Sequence, residues 1–339
     1  MSVHVTFASR SSRIGMALCV IAFVVLAAAP AWGGRDDLQL LAQIYAYVAL
    51  ASLWNLLAGY AGLVSVGQQA YVGLGAYLLF AFAIFGGVPL LAAIPLAGLI
   101  AAAVAVPVAG LVFRLRGHYF AIGTWIVAEV FRLTASQVSV LGGGSGTSLP
   151  ASLIIAIAPT RQLRDFIEYW VALALVVAVL LLRSRYGLAL KAIRDSELAA
   201  TCNGVDVRRT KILVYIVTAG ATAMIGAFIF LQRLRISPDA AFSVNDWTAF
   251  VIFITVIGGI GRIEGPIVGT IVFFALRQTL ADLGTVYLLM LGAVAIAIML
   301  AAPKGIWGVV VARLGWQIFP LERRVISDGA SARETVAKA

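Results

Sequence analysis

FIEYWVALALVVAVLLLRSRYGLALKAIRDSELAATCNGVDVRRTKILVYIVTAGATAMIGAFIFL covers Phe166–Leu231. Two apolar runs, 166–182 and 212–231, enclose a charged segment with a glycine inside it. A helix needs about 20 apolar residues to cross the hydrocarbon core of a bilayer. The pattern therefore reads as two membrane crossings joined by a basic loop. Working outward, further apolar runs fall at 14–32, 39–57, 66–86, 88–113, 118–138, 248–260, 266–281 and 285–302. Lipid offers the backbone no hydrogen-bond partners, so each run must be a helix; the alternating pattern of a barrel is absent. The expected fold is an all-α, polytopic transmembrane helical bundle of eight to ten spans with no soluble domain. The range is open because 248–260 and 266–281 are short and make either one broken span or two.

Composition agrees. Of 339 residues, 62% are hydrophobic and 12% charged, against about 45–50% and 25% in soluble domains. The net charge of +10 points to orientation rather than nucleic acid, because Lys and Arg gather at the ends of apolar runs. Arg10 and Arg13 place the N-terminus inside; Arg114 and Arg116 lie inside after the fourth run. The segment 183–211 carries seven Lys/Arg against Asp195, Glu197 and Asp206, so it is inside, and Lys304, Arg313, Arg323 and Arg324 place the C-terminus there too. Residues 33–37, 161–168 and 232–247 then fall outside. The AAAPAWG stretch after the first run looks like a signal-peptide end, but a retained span suits a multispanning chain better. Cys19 and Cys202 are far apart, and His4 and His118 do not cluster with them, so no metal site is expected.

The loop has its own grammar. Tyr186, Leu190 and Ile193 fall at helical spacing. Lys191 with Asp195, and Arg194 with Glu197, can pair along a helix. Asp195 or Ser196 can cap a short helix ELAATCN, Gly204 can end it in a left-handed conformation, and Asp206 can cap the helix that returns to the membrane. The plain reading is a solvated loop obeying the positive-inside rule. The sharper one is a docking elbow for a cytoplasmic partner.

Two intramembrane features stand out. Gly59, Gly62, Gly67, Gly73 and Gly75 are dense for one region, as helix packing requires. Asn55, Ser65, Gln68, Gln69 and Glu129 are polar groups that suit a translocation path. Glu129 at mid-span costs about 3 kcal/mol unpaired; Arg132, one turn on, makes a bridge between helices the competing role. No Gly-rich loop ends in Gly-Lys-Ser/Thr, so ATP phosphates have no cradle here. No nucleophile–base set is present, and an enzyme is not expected.

Four blocks carry a family resemblance: 184–227 around the loop, NLLAGYAGLVSVGQQAYVGLGAYL (55–78), RLRGHYFAIGTWIVAEVFRL (114–133), and GGIGRIEGPIVGT (258–270) with APKGIWG (302–308). Together they resemble LivM-type permeases of branched-chain amino acid ABC importers, over roughly 38–310. Departures stand at Gln68 and Gln69 and at RIE, 262–264. The resemblance implies a permease domain 38–310, after a leader and first span (1–37) and before a disordered cytoplasmic tail (311–339). It implies a bacterial inner membrane location and docking of an ATPase on the elbow at Ala192, Asp195, Glu197, Ala200 and Gly204. It implies partners: a second homologous permease, two cytoplasmic ATPase subunits, a periplasmic solute-binding protein and membrane lipid. No cofactor is bound by this chain; ATP is used by the partner subunits. The cargo is branched-chain or other hydrophobic amino acids, with urea or short amides as a variant. An ion-coupled secondary transporter is the alternative from another class.

Overall fold

The computed structural model describes residues 3–6, 24–158, 160–202, 204, 206–280, 286–302, 305–314 and 324–327. Twelve helices carry the architecture: α1 Arg35–Asn55, α2 Gln68–Ile84, α3 Leu90–Val112, α4 His118–Gln137, α5 Ala151–Ile157, α6 Arg161–Asp195, α7 Glu197–Cys202, α8 Val207–Arg233, α9 Phe250–Gly258, α10 Gly265–Leu280, α11 Val286–Ala301 and α12 Gly305–Leu314. Among the described residues, strand is confined to two short antiparallel pairs. β1 (Val3–Thr6) pairs with β4 (Arg324–Ser327), and β2 (Thr147–Ser148) with β3 (Arg235–Ile236).

α8 is the central helix, lying along α3 and α2, while α6 lies along α1. Small residues set these crossings. A Cβ on Gly75 would overlap the carbonyl of Ala223, and one on Gly226 would overlap the backbone of Val72. Gly98 and Gly220 face each other between α3 and α8 in the same way. Lipid provides no hydrophobic drive between helices, so close backbone approach and dispersion hold the bundle. α9 and α10 form an antiparallel hairpin, with Gly269 against Ile254 and Gly265 against Gly259. Outward, Leu99, Leu111, Ile126, Ile271, Leu289 and Leu300 are exposed. An apolar exterior of this kind belongs in lipid.

Among the described residues, five segments are long and apolar enough to cross a membrane: Arg35–Tyr60, Leu90–Val112, Val207–Arg233, Pro238–Gly258 and Leu289–Val311. α2 and α10 are apolar but shorter. Most of the expected first span lies outside the described residues. The run expected at 248–260 begins earlier, through Pro238–Ala241 and a π-helical turn at Asn245–Ala249. The apolar run expected to end at 182 lies in a longer helix: α6 runs on to Asp195, 35 residues in all from Arg161. Positive charge marks where a chain leaves lipid, not where a helix ends. The tail expected to be disordered from 311 begins inside α12, which runs to Leu314.

Candidate functional site

Two interruptions in the helices meet inside the bundle. α1 passes into a π-helical turn, Leu56–Tyr60, and the chain is then irregular to Gly67. The second interruption is the turn 259–264 between α9 and α10. Asn55 ties them together. Its Nδ2 donates to the carbonyl of Arg262 at 2.8 Å, and its Oδ1 accepts from the amide of Gly261 at 2.7 Å. Gly59 lies so close to Gly261 that a Cβ would overlap it. The first irregular segment is also paired: Trp54 Nε1 donates to the Ser65 carbonyl at 2.8 Å, and the amide of Val66 donates to Thr124 Oγ1 at 3.0 Å. Unwound backbone at membrane depth needs such partners.

The other polar residues expected on a path are buried against neighbouring helices. Ser65 accepts the amide of Gly67 at 3.2 Å. Gln68 Nε2 donates to the Leu50 carbonyl at 3.2 Å and lies 3.4 Å from Thr222 Oγ1. Gln69 Oε1 accepts from Thr248 Oγ1. The cavity beside Ser65 and Gln68 measures about 10 Å³, at the lower limit for one water. Glu129 sits apart from these groups. Arg132 forks onto it at 2.6–3.1 Å and reaches Asp239 at 2.8 Å. The pair thereby bridges α4 to the loop after α8.

Of the glycines expected to mediate packing, Gly59, Gly67, Gly73 and Gly75 each have a neighbour that a Cβ would strike. Gly62 requires a correction. Nothing lies within 4 Å of its Cβ position, and its φ is +68°. It serves the turn's backbone, not a helix contact.

The elbow follows its sequence grammar. α6 ends at Asp195, Ser196 breaks it, α7 covers Glu197–Cys202, and Gly204 has φ +80°. Asp206 caps α8 by accepting the amide of Arg209 at 3.0 Å. Leu190 and Ile193 are buried in one cluster with Tyr71, Phe120 and Tyr215. The elbow is thus packed onto the bundle, not loose beside it. Ala200, expected among the docking positions, is buried in the same cluster, where its side chain anchors α7. Gly204, Thr201 and Cys202 are exposed. The side chains of Ala192, Asp195 and Glu197, and the two pairs expected there, lie outside the described residues. Beside the elbow is an open groove of about 1300 Å³ lined by Arg114, Arg116, His118, Arg208 and Lys211, with Asp206.

At the opposite end of the bundle the structure gathers residues that the sequence did not single out. Arg35 and Gln39 both donate to Asp165, Gln39 at 3.0 Å. Next to them Arg164, Glu168, Gln232, Arg233, Asp246 and Arg277 line a polar cavity of about 190 Å³. The only hint in the sequence was Arg164 and Glu168, four apart in RQLRDFIE.

A helical bundle with an apolar exterior and paired helix interruptions defines a polytopic membrane protein. Residues 38–303 match the family described as branched-chain amino acid transport system, permease component, and the chain belongs to that family. It is similar to the high-affinity branched-chain amino acid transport system permease protein LivM of Escherichia coli strain K12, 28% identical over 87% of this chain and 76% of that protein. The LivM of Salmonella typhimurium is 27% identical over the same shares. A probable branched-chain amino acid transport permease, LivM of Methanocaldococcus jannaschii, is 24% identical over 49% of each chain. No solved structure matches.

Proposed function

We propose that this chain is the membrane-spanning permease subunit of an ABC importer, moving branched-chain or other hydrophobic amino acids into a bacterial cytoplasm. In this reading a second homologous permease completes the pathway and two ATPase subunits dock on the inner face. A periplasmic binding protein delivers solute from outside. ATP is hydrolysed by the partners; this chain binds none. The bundle crosses the inner membrane eight to ten times, with both termini inside.

The observation that carries the reading is the elbow. At 35 residues, α6 is about 52 Å long at 1.5 Å per residue. The hydrocarbon core is about 30 Å thick, so α6 projects some 20 Å beyond it. At its end α7 and the Gly204 turn lie across the bundle's face, anchored through Leu190, Ile193 and Ala200 to the cluster that holds Tyr215 of α8. A push on α7 therefore moves α8, and with α8 the helices α2 and α3 packed along it. The polar side chains at the joined interruptions, Asn55, Ser65, Gln68 and Gln69, are the groups such a movement exposes to solute. Being uncharged, they pass a zwitterion without trapping it.

The test is uptake of labelled leucine into proteoliposomes containing this permease with its co-purifying ATPase, with and without ATP. Import that requires both supports the reading. Import that survives removal of the ATPase and collapses with an uncoupler overturns it.

A further inference from the structure

The polar cavity at the Arg164–Glu168 end answers to a specific ligand chemistry. Its charges are arranged in two signs. Arg164, Arg233 and Arg277 contribute three guanidinium groups; Glu168 and Asp246 contribute two carboxylates. Glu168 is only 5% exposed; Gln232 bonds its carboxylate, and its Oε1 and Arg164 Nε form an ion pair with no hydrogen bond of normal geometry. The two atoms stand 3.4 Å apart. Arg164 also forms a long ion pair with Asp165 at 3.9 Å, whose oxygens Arg35 and Gln39 bond more closely. The Arg164–Glu168 pair at 3.4 Å is looser than a charge-assisted hydrogen bond of about 2.7–2.9 Å and leaves hydrogen-bonding capacity on both groups for a ligand.

The other walls are ready-made. Arg233 lies over the Trp247 ring at 4.9 Å and over Phe230 at 5.4 Å, which fixes its guanidinium in place. Trp247 also presents an apolar surface to the cavity. The volume of about 190 Å³ is below the range of drug-sized sites and suits a small metabolite. The helix ends that form the cavity are those that the charge pattern assigns to the outer face.

We propose that this cavity binds a small zwitterion, the carboxylate–ammonium head of a free amino acid, as an outer waiting site before translocation. The carboxylate meets the arginines, where planar guanidinium groups match its geometry. The ammonium donates to Glu168, and the aliphatic side chain lies against Trp247. The proposal deepens the transport reading and rests on it for the cargo. A zwitterionic lipid head group shares this chemistry, so the test separates the two sources.

The full chain is placed in nanodiscs of phosphatidylglycerol alone and its thermal unfolding followed against leucine, leucinamide and 4-methylpentanoate. A ligand that binds the folded state raises Tm saturably. Leucine is expected to do so, while leucinamide, lacking the carboxylate, and 4-methylpentanoate, lacking the amine, need at least tenfold higher concentrations. Glu168→Gln and Arg277→Gln are each expected to raise the leucine midpoint at least tenfold. Arg277 is exposed, so its variant folds whether or not Glu168→Gln does. No leucine effect, or an unchanged midpoint in Arg277→Gln, overturns the proposal. So does stabilisation that requires phosphatidylethanolamine, or one given only by an acidic peptide standing for a docking protein. Loss of this site with ATP-dependent uptake intact removes the waiting site alone; loss of that uptake in the assembled wild type removes the reading beneath it.

Discussion

Asn55 spans the gap to Gly261 with a 2.7 Å hydrogen bond and reaches the next carbonyl, on Arg262, at 2.8 Å. One side chain thereby closes both interruptions of the bundle. Asn55→Ala leaves a backbone N–H and a C=O without these partners where Asn55 is fully buried. Each such group costs about 1–3 kcal/mol, so a loss of roughly 2–6 kcal/mol in stability is expected. Asn55→Asp keeps the acceptor for Gly261 but sets a buried carboxylate against the Arg262 carbonyl, and should be at least as destabilising. Thermal unfolding in nanodiscs measures both; equal stability in all three chains would remove Asn55 as the clamp.

The glycines separate into kinds that one substitution distinguishes. Gly226→Ala drives a Cβ into Val72 and is expected to cost about 1–3 kcal/mol as overpacking. Gly62→Ala meets open space but a φ of +68°, for about 1–2 kcal/mol. Gly110→Ala, in α3 with nothing within 4 Å, should be neutral or stabilising by up to about 1 kcal/mol. The order of unfolding temperatures checks all three.

Two elbow variants should fail differently. Ala200→Glu buries a charge in the cluster around Tyr215 and lowers the yield of folded permease. Glu197→Lys is expected to leave folded yield unchanged while weakening ATPase association more than tenfold. Co-purification with the ATPase, normalised to inserted permease, separates the two effects. Intact association in Glu197→Lys would displace the docking contact from α7.

Glu129→Gln distinguishes the two transport classes. Arg132 keeps its bond to Asp239 at 2.8 Å when Glu129 loses its charge, so ATP-driven uptake should change less than twofold. A proton- or ion-coupled carrier relying on its intramembrane carboxylate would lose transport altogether.

Hydropathy made the bundle legible because lipid permits so few backbone solutions, and the elbow was legible because capping is local: Gly204 and Asp206 do what their chemistry dictates. What depends on tertiary neighbours was not. The partners of Gln68 and Gln69 could not be read from sequence: their bonds go to Leu50, Thr222 and Thr248, far away along the chain. Ala200 read as surface because ELAATC has no apolar stripe strong enough to show which face turns inward. The cavity at Arg164 and Glu168 is assembled from α1, α6, α8, α10 and the turn before α9, and no window of sequence contains it. The apolar run ends at 182 while the helix runs on to Asp195, because charge signals the membrane edge and helix geometry ignores it.

Cys202, free and exposed at the end of α7, allows the docking claim to be measured directly. In a Cys19→Ser background, maleimide labelling of Cys202 in inside-out vesicles is compared with the ATPase bound and after it is stripped. The expected result is strong protection in the assembled state and rapid labelling after stripping. Equal labelling in both states would mean that no nucleotide-hydrolysing partner sits on the elbow, and would contradict the mechanism.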